Sequence, residues 1–353
     1  MKHIFYIHSH LTYIISIGVI NELALDKKNV FILSDGYTNN LNYPINMIRG
    51  KKYTKNKFRY HIFHFNIPKS IDTFIKKLIK NEEFTLYCPA ITHTTSVLLT
   101  NENCKQLHFI EEGFTSYLKN LSLERFSYLH SNKNWRYKNS DGLKAFFSDL
   151  ILLLRGMNMK LNSLPIYYNC YFGFSSMKFF GLSNDAFPII ENSNKHIINI
   201  KDISNSIDYK SSFLINDNAN VWIGDCSVDT VKYNRQLYLT GIKEGFINYL
   251  NKNSITNIYI KFHPNESQYS RNCLLNVLTE SNITFSIIPD STILELELLY
   301  IKKISLFGIY SSLLYYNTIM GNNSYSIINY EPEYKSFLEK TDMSFYWNKI
   351  QII

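Results

Sequence analysis

Three short motifs combine residue types that can move a proton or hold a phosphate: Glu111-Glu112-Gly113, His263-Pro264 and Gly308-Ile309-Tyr310-Ser311-Ser312. Two adjacent carboxylates held away from water repel each other, which raises one pKa toward the range a general base near neutrality needs. Gly113 lets the chain turn sharply so that one carboxylate faces outward; a solvated acidic turn is the plainer alternative. An imidazole at His263 can donate to a phosphate oxygen and stabilise or protonate a leaving nucleotide, with Pro264 stiffening the turn that carries it. A structural turn with a satisfied ring has the same sequence. Ser311 and Ser312 open a helix just after Gly308, where backbone N–H groups and hydroxyls form either a phosphate site or an ordinary N-cap. Glu295 and Glu297 lie near the same edge, placed to accept from ribose hydroxyls or a base, or to ride on a surface helix.

Each motif stands behind an apolar run that reads as a strand: residues 106–110, 255–262 and 304–307. In open α/β sheets, ligands bind outside these carboxyl ends. The start of the chain repeats the pattern: strand 4–7, helical spacing over 11–25, strand 29–33 closed by Ser34-Asp35-Gly36. Further on come a β-leaning run at 54–65, a helix at 71–80, a strand at 84–88 stopped by Pro89, and the polar loop 91–96. Residues 118–164 are less regular, and 166–187 are strand-like and aromatic. A polar stretch, 191–211, reads as the linker between domains. A second α/β series follows, with strands at 220–223 (ending in Gly224-Asp225), 283–288 and 325–328 and helices at 231–250, 274–280, 293–300 and 311–320. The expected architecture is α/β with two Rossmann-like domains facing across a cleft, residues 1–195 and 196–353, the last residues packing back on the first domain.

Length and composition fit this. A chain of 353 residues is a natural length for two domains, and 45% apolar content does not limit burial. The formal charge of +8 favours anionic partners such as a nucleotide. Without a long Lys/Arg block or a recognised motif, nucleic acid is not expected as a partner. Aromatics reach 15%, with 27 Tyr and 24 Phe, enough to line a sugar or nucleoside pocket as well as fill cores. Five scattered cysteines lack C-x-x-C spacing, which speaks against zinc and a disulfide scaffold and for a reducing cytosol. The first residues read as a strand rather than a signal peptide, and no apolar stretch is long enough to span a bilayer. The expectation is a cytoplasmic protein, soluble or peripheral. Residues 143–154 read as a core or oligomer-contact helix, with membrane docking as the alternative.

In order and strand-end placement, Glu111-Glu112-Gly113, His263-Pro264 and Ser311-Ser312 resemble the motifs of bacterial sialyltransferases of the GT-B kind, including polysialyltransferases and lipooligosaccharide sialyltransferases. The resemblance covers most of the chain in layout and about a dozen residues in motif. It implies an inverting transfer of N-acetylneuraminic acid from CMP-Neu5Ac to a galactoside or sialoside hydroxyl, in surface polysaccharide or lipooligosaccharide synthesis at the cytoplasmic face of the membrane. Glu111 would be the base, with Glu112 beside it; His263 would contact the CMP phosphate and protonate the leaving group; Ser311 and Ser312 would bind the same phosphate. Pro264, Gly308 and Glu295 would complete the donor side. The resemblance implies no cofactor and no metal, and the absence of an Asp-x-Asp pair near a strand end points the same way. Other readings are a transferase using another nucleotide sugar, a CDP-glycerol glycerophosphotransferase, and a non-catalytic two-domain binding protein.

Overall fold

A computed structural model describes residues 1–37, 43–48, 66–121, 150, 154, 156, 176–211, 213–225, 235–332, 335–336 and 343–353. The β-leaning run at 54–65, most of the apolar stretch 143–154 and the early part of 166–187 lie outside these residues. The chain divides into two units, Met1–Asp208 and Tyr209–Ile353.

The first unit contains strands β1 (Lys2–Tyr6), β2 (Val30–Ser34), β3 (Ile45–Met47), β4 (Phe84–Cys88), β5 (Cys104–Ile110), β6 (Phe179–Gly181) and β7 (Lys195–Ile197). All pair in parallel, in the order β3-β2-β1-β4-β5-β6-β7. Strands covered on both faces have little room for polar alternation: Ile4, Phe5, Tyr6 and Ile7 are all buried. Helix α1 (His10–Glu22) follows β1 and is buried from Leu11 through Ile20. Its start is fixed by a capping box, in which Ser9 Oγ accepts from Thr12 N and Thr12 Oγ1 accepts from Ser9 N. Helices α2 (Asn66–Ile79) and α3 (His93–Thr100) connect β3 to β4 and β4 to β5.

The domain boundary falls later than the expected 195/196. Residues 191–211 are more than a linker, for they hold β7 and helix α4 (Ile200–Ser204). The cause is close packing on α1: a Cβ on Gly18 would lie 2.2 Å from Ile198 Cγ2 and 3.1 Å from Ile203 Cγ1. Glycine at position 18 thus lets this segment seal the first unit.

The second unit has strands β8 (Asn220–Ile223), β9 (Asn257–Lys261), β10 (Thr284–Ile287), β11 (Ser305–Gly308), β12 (Asn323–Ser326) and β13 (Gln351–Ile352). They too are parallel, in the order β10-β9-β8-β11-β12-β13. A helical region runs from α5 (Arg235–Thr240) through a π-helical stretch, Gly241–Ile247, into α6 (Asn248–Lys252). Gly241 and Gly245 approach Tyr330 here, a Cβ on either lying 2.9 Å from its side chain. Helices α7 (Gln268–Glu280), α8 (Leu294–Glu297), α9 (Ser312–Ile319) and α10 (Ser344–Trp347) complete the order. Trp222, Phe246 and Phe307 anchor the core. The chain end pairs with β12, Ile353 N donating to Ser326 O at 2.9 Å, so these last residues belong to the second sheet.

Each sheet reverses its strand order once in the middle, between β1 and β4 and between β8 and β11. Such reversals open a crevice at the carboxyl edge, because the helices on either side leave in opposite directions.

Candidate active site

In the first unit, β5 runs straight into the acidic pair. Glu111 N donates to Phe180 O at 2.9 Å, so this residue still belongs to the pairing with β6. Its carboxylate is wholly buried; Oε2 accepts from Leu182 N at 2.7 Å and lies where a side chain on Gly181 would sit, 3.0 Å from an added Cβ. Glu112 leaves on the other side and keeps 19% of its side chain exposed, with Oε1 3.6 Å from Nε2 of His8, just after β1. Glu112 N donates to Ser116 Oγ at 2.8 Å, and Gly113 turns the chain at φ 106°, a value that favours glycine. The two carboxylates therefore share a turn and little else.

Further along the same edge stands a cluster that the sequence did not single out. Tyr6, at the end of β1, is 2% exposed, and its phenol lies beside Asp35, Thr92 and Thr94. Burial, and after it the Asp35 charge, raise the Tyr6 phenol well above its ordinary pKa, so it stays a donor. Thr94 Oγ1 also donates to Asp35 Oδ2 at 3.5 Å. The turn after β2 is fixed by Ser34 Oγ, which accepts from Gly36 N at 3.1 Å and Tyr37 N at 2.7 Å. Tyr37 in turn pairs its hydroxyl with His10 Nδ1 at 2.9 Å. The signal available in sequence was only that polar turns (His8-Ser9-His10, Ser34-Asp35-Gly36, residues 91–96) follow three strands.

In the second unit, β9 ends at Lys261 and the His263-Pro264 turn follows. Asn265 N donates to His263 Nδ1 at 3.1 Å, which places the proton of the neutral ring on Nε2. The turn is tied down by Glu266, whose Oε2 accepts from His263 N at 3.2 Å, and by Arg271, whose Nη2 donates to His263 O at 3.0 Å. Gly224, after β8, makes room for it: a Cβ there would sit 2.0 Å from Glu266 Oε2 and 2.8 Å from His263 N. Pro264 is exposed.

Across the strand reversal, β11 ends at Gly308, where a Cβ would meet Ile223 Cγ1 at 3.0 Å and Ile223 O at 3.1 Å. Ser311 caps α9, its Oγ accepting from Leu313 N at 3.2 Å, and its own N donates to the Tyr346 hydroxyl at 3.2 Å. The N-cap role expected for this pair is therefore carried by Ser311, while half-buried Ser312 forms the first turn. Tyr310 is raised above the ordinary phenol range by burial and by the charge of Asp225. Strands β9 and β11 flank β8, so His263 and Ser311-Ser312 leave the edge about 10 Å apart at the backbone. That is close enough for their side chains to converge on one small anion.

Glu295 lies half-buried on α8 and contributes to the field at Lys261, whose ammonium is lowered chiefly by burial and whose Nζ donates to Pro289 O at 2.6 Å. Glu297 faces elsewhere: Oε1 accepts from the Tyr209 hydroxyl at 2.7 Å and from the Ser211 hydroxyl, which ties down the unit's first residues. Among the described residues, no group of three or more His, Cys, Asp or Glu stands together to hold a metal ion, and no helix is long and apolar enough to cross a membrane.

No protein-family model and no curated protein sequence matches the chain. Among solved structures it is similar to a sialyltransferase from Photobacterium damsela, at 12% identity and a TM-score of 0.52, covering 100% of this chain and 81% of that one. It is also similar to a 2,6-sialyltransferase from a Photobacterium species in complex with CMP and lactose (12% identity, TM-score 0.48, 89% of this chain and 69% of that one). A third is the UDP-GlcNAc 2-epimerase of Neisseria meningitidis (11% identity, TM-score 0.45, 100% and 95%). At these identities the likeness concerns the fold, which is that of two Rossmann-like α/β units of the GT-B kind.

Proposed function

We propose that the chain is an inverting glycosyltransferase that moves N-acetylneuraminic acid from CMP-Neu5Ac to a glycan hydroxyl. The observation that carries this reading is the His263 turn, where the Asn265 amide holds Nδ1 and leaves Nε2–H as a donor at the carboxyl edge, beside the strand reversal. A fixed donor next to a helix start suits the phosphate of a departing nucleotide. The motif order and the shared fold with a sialyltransferase support CMP-Neu5Ac as the donor.

In this reading, the acceptor oxygen attacks the anomeric carbon from the face opposite the nucleotide. Its proton passes to a carboxylate of the first unit. The bond between the anomeric carbon and the phosphate oxygen breaks, its electron pair stays on that oxygen, and His263 Nε2–H stabilises the departing phosphate by donating a hydrogen bond to it. The resemblance puts the base at Glu111; burial of Glu111 and its bond to the Leu182 amide argue for Glu112, which is partly open to solvent and paired with His8. No metal takes part, because a monophosphate leaving group carries less charge to neutralise. The acceptor belongs to a surface polysaccharide or lipooligosaccharide, free or lipid-linked, and the reaction takes place at the cytoplasmic face of the membrane.

Incubation with CMP-Neu5Ac and a panel of galactosides and sialosides, read by mass, tests this: sialylated product and CMP are expected. No product with any acceptor, together with stronger thermal stabilisation by UDP or GDP than by CMP, would overturn the donor assignment.

A further inference from the structure

An exposed aspartate normally needs no support, since water solvates it better than a protein does. Asp35 is exposed, yet the buried Tyr6 phenol lies beside it, the Thr94 hydroxyl donates to it at 3.5 Å, and Ser34 Oγ fixes the turn behind it. These donors come from the ends of β1 and β4, the two strands on either side of the reversal. The carboxylate is thus held in one orientation at the mouth of the first unit's crevice, where ligands of such sheets bind. A fixed, acceptor-only carboxylate suits a ligand rich in hydroxyl donors and repels one that is itself anionic.

Its distance from Glu112 narrows the ligand further. Asp35 follows β2 and Glu112 follows β5, with β1 and β4 between them. Three strand spacings put the two positions about 14 Å apart along the edge, further than one pyranose ring reaches. We infer that Asp35 binds a second, neutral sugar of the acceptor, so that the preferred acceptor is a neutral oligosaccharide rather than a single sugar or a chain of sialic acids. The inference rests on the proposed transfer in placing the reacting hydroxyl at Glu112. Tyr6 and Thr94 act as positioning residues, holding the carboxylate without touching the sugar.

The test compares methyl β-galactoside, lactose and sialyllactose as acceptors for the full chain with CMP-Neu5Ac. The parent should prefer lactose over methyl β-galactoside and over sialyllactose. Asp35→Ala should reduce the lactose preference, as a ratio of kcat/KM values, by about tenfold or more, the scale of a lost charged hydrogen bond. Tyr6→Phe, which keeps the buried ring, should reduce it less, through the KM for lactose rather than kcat. An unchanged ratio in Asp35→Ala, or sialyllactose used better than lactose, would overturn the inference while leaving the transfer reading standing. If CMP-Neu5Ac is not turned over with any acceptor, the transfer reading fails, and saturation-transfer NMR with lactose decides the inference alone. Binding by the parent that weakens in Asp35→Ala supports a neutral-sugar site; no binding, or equal binding, overturns it.

Discussion

Glu111 and Glu112 meet different surroundings because consecutive side chains at a strand end leave on opposite sides. Glu111 points into the pairing with β6 and accepts the Leu182 amide, so its removal leaves a buried N–H without that acceptor. Glu111→Ala should therefore cost about 1–3 kcal/mol of stability, read as a lower urea midpoint. Glu112 is partly open and faces His8, so Glu112→Gln should leave the midpoint in place. Its effect falls on turnover, which should drop on the order of 100- to 10,000-fold with little change in acceptor KM, as for loss of a general base. Full turnover in Glu112→Gln combined with an unaltered midpoint in Glu111→Ala would return the base to Glu111. That two carboxylates stood at a strand end was plain from the sequence. Which of them faces out was not, because it depends on Gly181 and Leu182, brought alongside by a strand that comes far later in the chain.

At the scale of elements, the strands were the most readable part. Parallel strands buried on both faces leave apolar runs such as Ile4–Ile7, and the polar turns behind them mark the edge that carries the motifs. What the pattern missed were short polar strands, Lys195-His196-Ile197 and Gln351-Ile352, recruited to sheet edges by contacts that local periodicity does not encode. The same kind of tertiary contact explains Gly224. Its missing side chain lets the His263 turn and Glu266 fold over the end of β8, with a backbone nitrogen 2.8 Å from where a Cβ would be. Backbone gives way less readily than a side chain, so Gly224→Ala must shift the turn. The expected cost is about 1–3 kcal/mol for overpacking. Because the turn presents His263, titration calorimetry should also show weaker CMP binding than in the parent. CMP binding unchanged from the parent would mean that the turn does not hold the nucleotide. His263→Ala makes the complementary case: with the ring gone and Gly224 intact, turnover of CMP-Neu5Ac should fall at least about 100-fold while the fold holds.

At the scale of the whole molecule, the two units differ in how they respond to acid. Of the ten histidines, only His263 belongs to the second unit. In the first, His108 on β5 packs 5.1 Å from the Tyr87 ring and 6.0 Å from Phe180, and its Nδ1 accepts from Lys178 N at 3.1 Å. Burial above all, then the charge of Lys178 and the nearby His196 and His3, push its pKa down to about 4, against a smaller upward pull from the Leu107 backbone. His3 is lowered as well, by burial and by the chain's amino terminus. An unfolded chain takes up these protons near the ordinary value of about 6.5, whereas the folded unit resists them. Between about pH 6.5 and 4 the unfolded state therefore binds more protons, and stability falls as the pH falls. The His108 contribution, present in full above about pH 6.5, amounts to about 3 kcal/mol and is gone below about pH 4. Carboxylates titrate over part of the same range, so the useful quantity is the difference between the parent and His108→Gln, a neutral side chain that does not take up the proton. In scanning calorimetry from pH 7.5 to 4.5, the first unit's transition should move down further in the parent than in His108→Gln, with the second unit's transition moving equally in both. Parallel shifts of the first transition in the two proteins would show that His108 gains its proton without opposing the fold.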